Sequence, residues 1–531
     1  MKQQHIAMLY GFLGFILFYG FFYCVGTYPL LDVDETRYVD MARQMFNTKD
    51  YLTLYLNGDY FFEKPPLYFW IECLSFKLLG GINELTARIP IVVLSLLPAG
   101  LLLFLCRKVR GKLGGKIEGD KLAIIVTATL FTSLEYMFLT KIAILDSVLT
   151  SFVTSSVLCY FYTFFVEGKN KKYFWILTYV FSALAVLAKG IPGVAIPMLV
   201  IAVSSIVFKT YKETLKYSWG VILFLAITLP WHLIMLKMHG SLFFDEYIIK
   251  HHILRFLGSD VIHRNEPWYF YILTLVWGLF PHIFLIAKIK DINFKDKFLA
   301  LNLIAVLSIL IFFSLSGAKL VTYILPIYPF LAVLIGEIWF NYINKADKTV
   351  DISLIILNSF LTLATIVMPF IRFILPKEIY ANFEPIQIVS LMILIPFVIS
   401  NWIFITKKRR LKLFLSIVIF MSLLSGFLTP LIYEFNYAFG QNDLMKFAKF
   451  AKENNYTIST YETGRRYSIL YYGNQAEVDF QTKNDLNWLY RELNKKNQIV
   501  IARNKKIQGL PVQIKERGVK FSIIERLRNE K

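Results

Sequence analysis

The chain has 531 residues, 56% of them hydrophobic, and a formal net charge of +20 at pH 7. Soluble domains are on average less than half apolar and lack repeated runs of about 20 apolar residues, so this composition excludes a soluble globular protein and predicts a polytopic membrane protein. The basic residues lie mostly in short loops between apolar runs. That placement favours membrane orientation and contact with anionic lipid over nucleic-acid binding, and no nucleic acid is expected as a partner. Four cysteines without metal-site spacing predict no structural disulfide.

The apolar runs predict an all-α bundle of about thirteen transmembrane helices. A shorter apolar piece, 65–80, predicts a helix at the membrane interface. The first run is too long for a signal-peptide core and precedes no small-residue cleavage motif, which favours a retained anchor. The expected limits of the spans are 7–27, 84–106, 121–139, 144–166, 173–188, 191–208, 217–237, 267–288, 297–316, 320–342, 352–373, 386–406 and 411–430.

Alternate loops between these spans are rich in lysine and arginine, which predicts a multi-pass membrane protein with its N-terminus in the cytoplasm. The basic loops are 107–121, 167–172, 209–216, 287–297 and 407–412. The opposite, outer side then receives the loops 28–83 and 238–266, several short turns and everything after residue 430. We therefore predict a transmembrane domain over 1–430 and a soluble α/β domain over 431–531 on the outer side.

The last hundred residues alternate short β-like runs with helical pieces, which is typical of a small α/β domain. The β-like runs are 456–460, 497–504 and 519–527, and the helical pieces are 442–455 and 484–497.

Charged residues that are unusual in a membrane protein collect on the predicted outer side. A single charge at mid-membrane costs about 2.5–3.5 kcal/mol even on the gentle insertion scale, so such residues need a polar destination. Each of them alone could lie at the interface and extend its charged end to water. Together they predict an outer polar site. They are the acidic pair Asp34 and Glu35, Glu63 and Lys64 before two prolines, Lys141, Asp146, Lys189 and Lys319.

The loop 238–266 is rich in histidine and adds two further cationic candidates. On a helix, His252 and Arg255 are three residues apart and therefore adjacent. With Lys64 they could donate charge-assisted hydrogen bonds to a phosphate. A zinc site needs three or four convergent ligands, and the spacing here provides no such set, although Glu63 and His252 could hold a divalent ion.

Seven segments, in this order, resemble bacterial 4-amino-4-deoxy-L-arabinose lipid A transferases and the wider family of polyprenyl-phosphate-sugar-dependent glycosyltransferases that includes protein O-mannosyltransferases. The resemblance covers about residues 8 to 340. It implies the GT-C fold, with about thirteen spans, an outer active site and a soluble C-terminal domain. The segments are DETRYVDMARQM, FFEKPPLYFW, ILDSVLTSF, AKGIPGVAIP, LPWHLIM, FFDEYIIKHHILRF followed by HRNEPWYFY, and SGAKLVTYILPIYPFLA.

The resemblance implies a location in the bacterial inner (cytoplasmic) membrane, with the outer side and the C-terminal domain in the periplasm. It also implies a donor lipid of the undecaprenyl-phosphate-sugar type and an envelope acceptor such as lipid A, another glycan or a protein. An anionic leaving group must be held by cations. We expect Lys64 and Arg255 to hold it, with Lys189, His252 and Lys319 as second candidates. Asp34 is the expected base, and Glu35 or Asp146 could orient the acceptor or offset the charge of the lysines. A single displacement would invert the anomeric centre. The family varies in its use of divalent metal, so a metal cofactor stays open.

Two other classes of function fit a polytopic protein. A transporter or flippase of envelope lipids would place charges at mid-membrane and often carries an inverted repeat. The sequence has no visible repeat, and its charges gather on one side. A membrane scaffold without enzymatic activity is the other alternative.

Overall fold

The computed structural model describes residues 9–15, 18–257, 266–374, 377–438 and 440–526. Within these residues, eight helices are long and apolar enough to cross a membrane, or nine if one sharply bent pair counts as a single span. The all-α membrane architecture is thus confirmed, while the predicted count of thirteen spans is not. The eight are Glu84–Lys112, Gly168–Lys189, Gly220–Leu254, Lys297–Leu315, Val321–Asn344, Lys348–Phe373, Phe383–Thr406 and Arg410–Phe427.

Several predicted spans are shorter than expected because the chain turns inside them. The run 121–139 forms two helices, Lys116–Phe131 and Leu134–Leu139. The run 267–288 also forms two, Phe270–Gly278 and His282–Asp291, bent by 115°. Pro281 lies between this second pair, and proline has no N–H with which to continue a helical ladder.

The remaining helical elements, together with the separate helices within several of these spans, complete the bundle and its outer segment. They are Phe18–Phe22, Asp34–Thr48, Leu67–Leu78, Leu145–Tyr162, Pro192–Val207, Tyr211–Lys216, Phe244–Leu254, Arg255–Leu257, Val321–Ile327, Tyr328–Asn344, Lys348–Val367, Met368–Phe373, Lys377–Thr406 and Arg410–Ala438. Two of these bear on predictions from the sequence. Leu67–Leu78 lies within the predicted interfacial helix 65–80. The helices after Gly220 continue to Leu257, so much of the expected loop 238–266 is helical, and its residues 258–265 lie outside the described part of the chain.

The centre of the bundle is packed around Tyr328–Asn344 and Leu145–Tyr162, whose residues are almost all buried. Glycines allow close helix crossings there. A Cβ at Gly336 would lie 2.6 Å from a methyl carbon of Val126, and one at Gly119 would lie 2.6 Å from the carbonyl oxygen of Arg107. Since real Cβ contacts are longer, these crossings need glycine.

The C-terminal segment forms a five-stranded mixed sheet, which confirms the predicted small α/β unit. Besides the hairpin strands β1 (Tyr55–Leu56) and β2 (Asp59–Tyr60), the strands are β3 (Thr457–Tyr461), β4 (Asp479–Gln481), β5 (Gln498–Arg503), β6 (Val512–Arg517) and β7 (Phe521–Arg526). Their order is β4-β3-β5-β7-β6, parallel on both sides of β3 and antiparallel on both sides of β7. The accompanying helices are Gln441–Glu453, Ser468–Gly473, Leu486–Leu493 and Asn504–Lys506. Strands β4 and β6 were not expected from the sequence.

Hydrogen bonds join the sheet unit to the outer segment 28–83, and each of the two contributes donors. Asp32 accepts bonds from the backbone N–H (2.9 Å) and hydroxyl (2.6 Å) of Ser468. The Tyr472 hydroxyl accepts from the Leu30 N–H at 2.9 Å, and the Arg43 guanidinium donates to Asn474 Oδ1 at 2.6 Å. The two segments therefore lie on the same side of the bundle, as the alternation of basic loops predicts.

Candidate functional site

A cavity of 370 Å³ lies where three cations meet on the side of the bundle that carries the outer segment. Lys64 comes from the turn before Leu67–Leu78, Lys189 from the last turn of Gly168–Lys189, and Arg255 from the helical stretch that follows Gly220. The other walls include apolar side chains such as Phe313 and Leu149. Cations beside an apolar wall suit an anionic group attached to a hydrocarbon chain.

Lys64 is a buried ammonium held by a stiff turn. Pro65 and Pro66 follow it, and Pro66 caps Leu67–Leu78. Its Nζ donates to the Glu63 carbonyl oxygen at 3.0 Å and lies 3.9 Å from the Glu63 carboxylate. Burial, reinforced by the charges of Arg255 and Lys189, lowers the pKa of Lys64 to about 7. For Glu63 the nearby charges outweigh burial. Burial alone would raise its pKa, but Lys64 and nearby cations hold the pKa below its usual value.

Arg255 and Lys189 are joined by a residue that the sequence analysis did not single out. The Arg255 guanidinium donates to the Tyr323 hydroxyl at 2.7 Å, and the Lys189 ammonium lies 4.2 Å from the centre of the Tyr323 ring. Lys189 also forms an ion pair with Asp146. Asp146 therefore offsets a cation at the cavity. Tyr323 lies within the segment SGAKLVTYILPIYPFLA, which was its only signal in the sequence.

Asp34 lies at the start of Asp34–Thr48 with its side chain 46% exposed. Its Oδ1 accepts a hydrogen bond of 2.7 Å from Arg37, whose guanidinium also donates to Tyr38 at 2.8 Å. The charge of Arg37 acts on both Glu63 and Lys64. Neither Asp34 nor Arg37 is among the described residues that line the cavity, so the link between Asp34 and the cavity is the charge of Arg37, and the Asp34 carboxylate is partly open to solvent.

Glu35 lies apart from the cavity in a fully buried ion pair. Its two carboxylate oxygens accept bonds of 2.7 and 2.8 Å from Arg88 and further bonds from the N–H groups of Leu31 and Ala143. Arg88 is itself fully buried and donates three more bonds to backbone carbonyls. Breaking such a pair costs about 3–5 kcal/mol. This geometry gives Glu35 a structural partner rather than a place beside a substrate.

His252 lines the cavity and Lys319 follows the lining residue Ala318, but the polar atoms of both already have partners. The His252 ring bonds through Nδ1 to the Tyr247 carbonyl oxygen, and a Cβ at Gly190 would lie 2.1 Å from His252 Nε2. Gly190 has φ of +85°, so both its conformation and this contact call for glycine. The Lys319 ammonium donates to the carbonyl oxygens of Ser316 (2.8 Å) and Glu266 (3.1 Å).

The sequence suggested Glu63 and His252 as a pair for a metal ion, but the histidine that lies beside Glu63 is His251. Glu63 lies next to His251, with 3.7 Å between its carboxylate and Nδ1, while His252 faces Tyr247 and Gly190. Across the described residues, no three or more His, Cys, Asp or Glu side chains converge as a metal ligand set.

Comparison with known proteins identifies relatives of this chain. Residues 8–243 match the family model for dolichyl-phosphate-mannose-protein mannosyltransferase. A Shewanella sediminis protein named undecaprenyl phosphate-alpha-4-amino-4-deoxy-L-arabinose arabinosyl transferase is 29% identical over 68% of this chain and 65% of its own length, so the chain spans just under two thirds of that relative. An uncharacterized Aquifex aeolicus protein is 31% identical over 58% of this chain and 67% of its own length.

The fold has a solved counterpart. The crystal structure of ArnT from Cupriavidus metallidurans bound to undecaprenyl phosphate superposes with a TM-score of 0.81, covering 99% of this chain and 98% of that chain at 17% identity. The protein is therefore a multi-pass membrane protein of the GT-C fold. The chain belongs to the family of membrane glycosyltransferases that the sequence resembles, alongside the arabinosyl and mannosyl transferases.

Proposed function

We propose that the protein moves a sugar from an undecaprenyl-phosphate-linked donor to an envelope acceptor, such as lipid A, on the periplasmic face of the inner membrane. The observation that carries the proposal is the convergence of Lys64, Lys189 and Arg255 on one cavity with an apolar wall. Three cations suit a phosphate, and the apolar wall suits the hydrocarbon tail of its lipid. The relatives named as arabinosyl transferases, and the solved structure that holds undecaprenyl phosphate, support this donor class.

In the proposed reaction the acceptor oxygen attacks the anomeric carbon as the bond from that carbon to the lipid phosphate breaks. Charge then develops on the departing phosphate, where Lys64 and Arg255 stabilise it. The Tyr323 hydroxyl, held at 2.7 Å by Arg255, is a third donor to the same group. Lys189 contributes positive charge, and its ion pair with Asp146 holds it in place.

Asp34 is the proposed base when the acceptor is a hydroxyl. Its bond to Arg37 orients the carboxylate, and its exposure leaves an approach for the acceptor. An acceptor phosphate is already ionised, so in that case Asp34 would position the acceptor instead of deprotonating it. Displacement from the side opposite the phosphate inverts the anomeric centre.

The test follows a radiolabelled undecaprenyl-phosphate-sugar incubated with the purified protein and lipid A. A transferase releases undecaprenyl phosphate and labels the acceptor, whereas a lipid transporter or a scaffold leaves the donor intact. Asp34→Asn should lower turnover by about 10²- to 10⁴-fold while donor binding persists. Asp59→Asn, which alters an exposed acid of the same outer segment, is the matched control. Intact donor after incubation with every acceptor tried would reject the transferase proposal.

A further inference from the structure

A second cavity, of 680 Å³, opens at the opposite end of the bundle from the donor cavity. It lies along the last four turns of Glu84–Gly114. The first residue of that helix, Glu84, accepts a hydrogen bond of 2.8 Å from Tyr472 of the sheet unit. Since a helix rises 1.5 Å per residue, Arg107 is about 35 Å from that end. The second cavity therefore belongs to the other membrane face.

One face of this helix changes from apolar to cationic along its length. Leu101, Phe104, Lys108 and Lys112 are spaced three or four residues apart, so they form a single stripe on the helix surface, and all four line the cavity. The Phe104 side chain is 65% exposed. The stripe thus presents apolar surface toward the middle of the membrane and positive charge toward the interface.

Three neighbouring helices complete the groove. Tyr162 and Phe174 form an aromatic wall, stacked with ring centres 4.4 Å apart. The next helix adds Lys116, because Gly119 lets Lys116–Phe131 approach the backbone of Arg107 closely. At the floor lies Gly111, where a Cβ would meet no atom within 4 Å.

The charges of the groove are only partly neutralised by the protein. Arg107 is paired through Nε with Asp120 at 2.5 Å, and the Lys112 ammonium reaches the Phe165 carbonyl oxygen at 3.4 Å. Lys108 and Lys116 have no ion-pair or hydrogen-bond partner in the described part of the chain. Asp120 neutralises Arg107, and the nearby Glu118 is paired with Lys121, so Lys108, Lys112 and Lys116 leave the pocket net positive beside its wall of apolar side chains.

We infer that this groove binds an anionic phospholipid, with its phosphodiester against Lys108, Lys112 and Lys116 and an acyl chain along Phe104, Tyr162 and Phe174. Basic pockets between membrane helices on the cytoplasmic side are suited to anionic head groups. A zwitterionic lipid would bring a cationic amine into a pocket that already carries excess positive charge. The site is separate from the donor cavity and does not depend on the proposed reaction.

The experiment measures lipid binding to the purified full-length protein by native mass spectrometry, with dioleoyl phosphatidylglycerol and dioleoyl phosphatidylcholine as probes. Wild type should retain phosphatidylglycerol in preference to phosphatidylcholine. The double variant Lys108→Gln/Lys116→Gln should bind phosphatidylglycerol about 30-fold more weakly, at about 1 kcal/mol for each lysine. The control Lys407→Gln/Lys408→Gln removes two exposed lysines from another basic loop and should leave binding unchanged.

A second variant tests whether lipid binding needs the shape of the groove and not only its positive charge. Gly111→Leu fills the floor, where the new side chain begins in open space, and keeps every charge. It should also weaken phosphatidylglycerol binding. Equal binding of the two lipids by wild type, equal losses in the lysine variant and its control, or undiminished binding by Gly111→Leu would each overturn the inference. So would displacement of the bound phosphatidylglycerol by equimolar undecaprenyl phosphate, which would identify a polyprenyl lipid as the occupant.

Discussion

At the scale of single residues, the role of each charged side chain is decided by its partners. Asp34 and Glu35 are adjacent in the sequence, yet Glu35 is enclosed by Arg88 and two backbone N–H groups while Asp34 is exposed and bonded to Arg37. A carboxylate whose lone pairs are all used can hold the fold but has none left for a substrate. The structure therefore favours Asp34 over Glu35 as the proposed base.

The first prediction concerns the binding of the donor phosphate by Lys64 and Arg255. Replacing either residue with alanine removes a charge-assisted contact, so donor-lipid affinity should fall by about 10- to 150-fold. Because both cations would hold the same phosphate, the loss in the double variant should differ from the sum of the single losses. Arg255→Lys should also bind more weakly, since an ammonium cannot reproduce the planar contact to Tyr323 and phosphate together.

These affinities can be measured in nanodiscs with an undecaprenyl-phosphate-sugar. Lys237→Ala, which removes an exposed lysine from Gly220–Phe243, provides the control and should bind as wild type does. If Lys64→Ala and Arg255→Ala both bind as tightly as that control, the two cations do not grip the phosphate.

The second prediction follows from the lowered pKa of Lys64, about 7. Below that pH the ammonium is charged and attracts the phosphate, and above it the free protein carries a neutral amine. Donor affinity should therefore be greatest in mild acid and decline as the pH rises through about 7. Lys64→Arg keeps its charge throughout, so its affinity should stay level between pH 6 and 9, whatever its absolute value. A parallel decline in both proteins would assign the titration to another group.

At the scale of elements, the sheet unit is coupled to the helix that carries Asp34. The Asp32 carboxylate accepts two hydrogen bonds from Ser468 and one of 2.6 Å from Thr36, in the first turn of that helix. Burial raises the pKa of Asp32, and these hydrogen bonds oppose the rise. The strands and helices after residue 440 thus hold the outer segment just before the proposed base.

The third prediction tests this coupling. Ser468→Ala removes the hydroxyl bond to Asp32 but leaves the backbone bond, so the sheet unit should remain folded while the start of Asp34–Thr48 loosens. Turnover should fall by about tenfold, with a smaller change in KM for the donor, because the phosphate site is elsewhere. Ser459→Ala is the matched control, since it removes a serine-to-carboxylate bond, to Glu492, inside the sheet unit. Equal effects of the two variants on kcat and on thermal unfolding would indicate general destabilisation only.

At the scale of the whole molecule, the hydrogen bonds between the outer segment and the sheet unit fix the two on one side, but the orientation of that side in the membrane is a proposal. The fourth prediction tests it by labelling with a membrane-impermeant thiol reagent. In a Cys24→Ser background, whose other cysteines are buried, Lys452→Cys should react in intact spheroplasts and Lys407→Cys only after the membrane is opened. Reversed labelling would place the donor cavity in the cytoplasm and contradict the proposed periplasmic reaction.

The sequence by itself determined the membrane class, the alternation of basic loops and the collection of charges at one end of the bundle. These follow from local chemistry, because apolar runs must be buried in lipid and charges must reach water wherever they occur. The sequence motifs also identified Lys64, Lys189 and Arg255 as candidate cations for a phosphate, although not that all three line one cavity. Short elements such as Leu67–Leu78 and β5 could also be predicted, because the pattern that defines them lies within the segment itself.

Only the tertiary structure decided which charges act together. Arg88 neutralises Glu35 from 53 positions away, Asp146 pairs with Lys189, and Ser468 reaches Asp32 across more than 400 residues. Hydrophobic periodicity tells which face of a helix is apolar, but not which helix will lie against it. The chemistry of a buried carboxylate or ammonium depends on that neighbour, because its desolvation cost is offset only by the partner that the fold supplies.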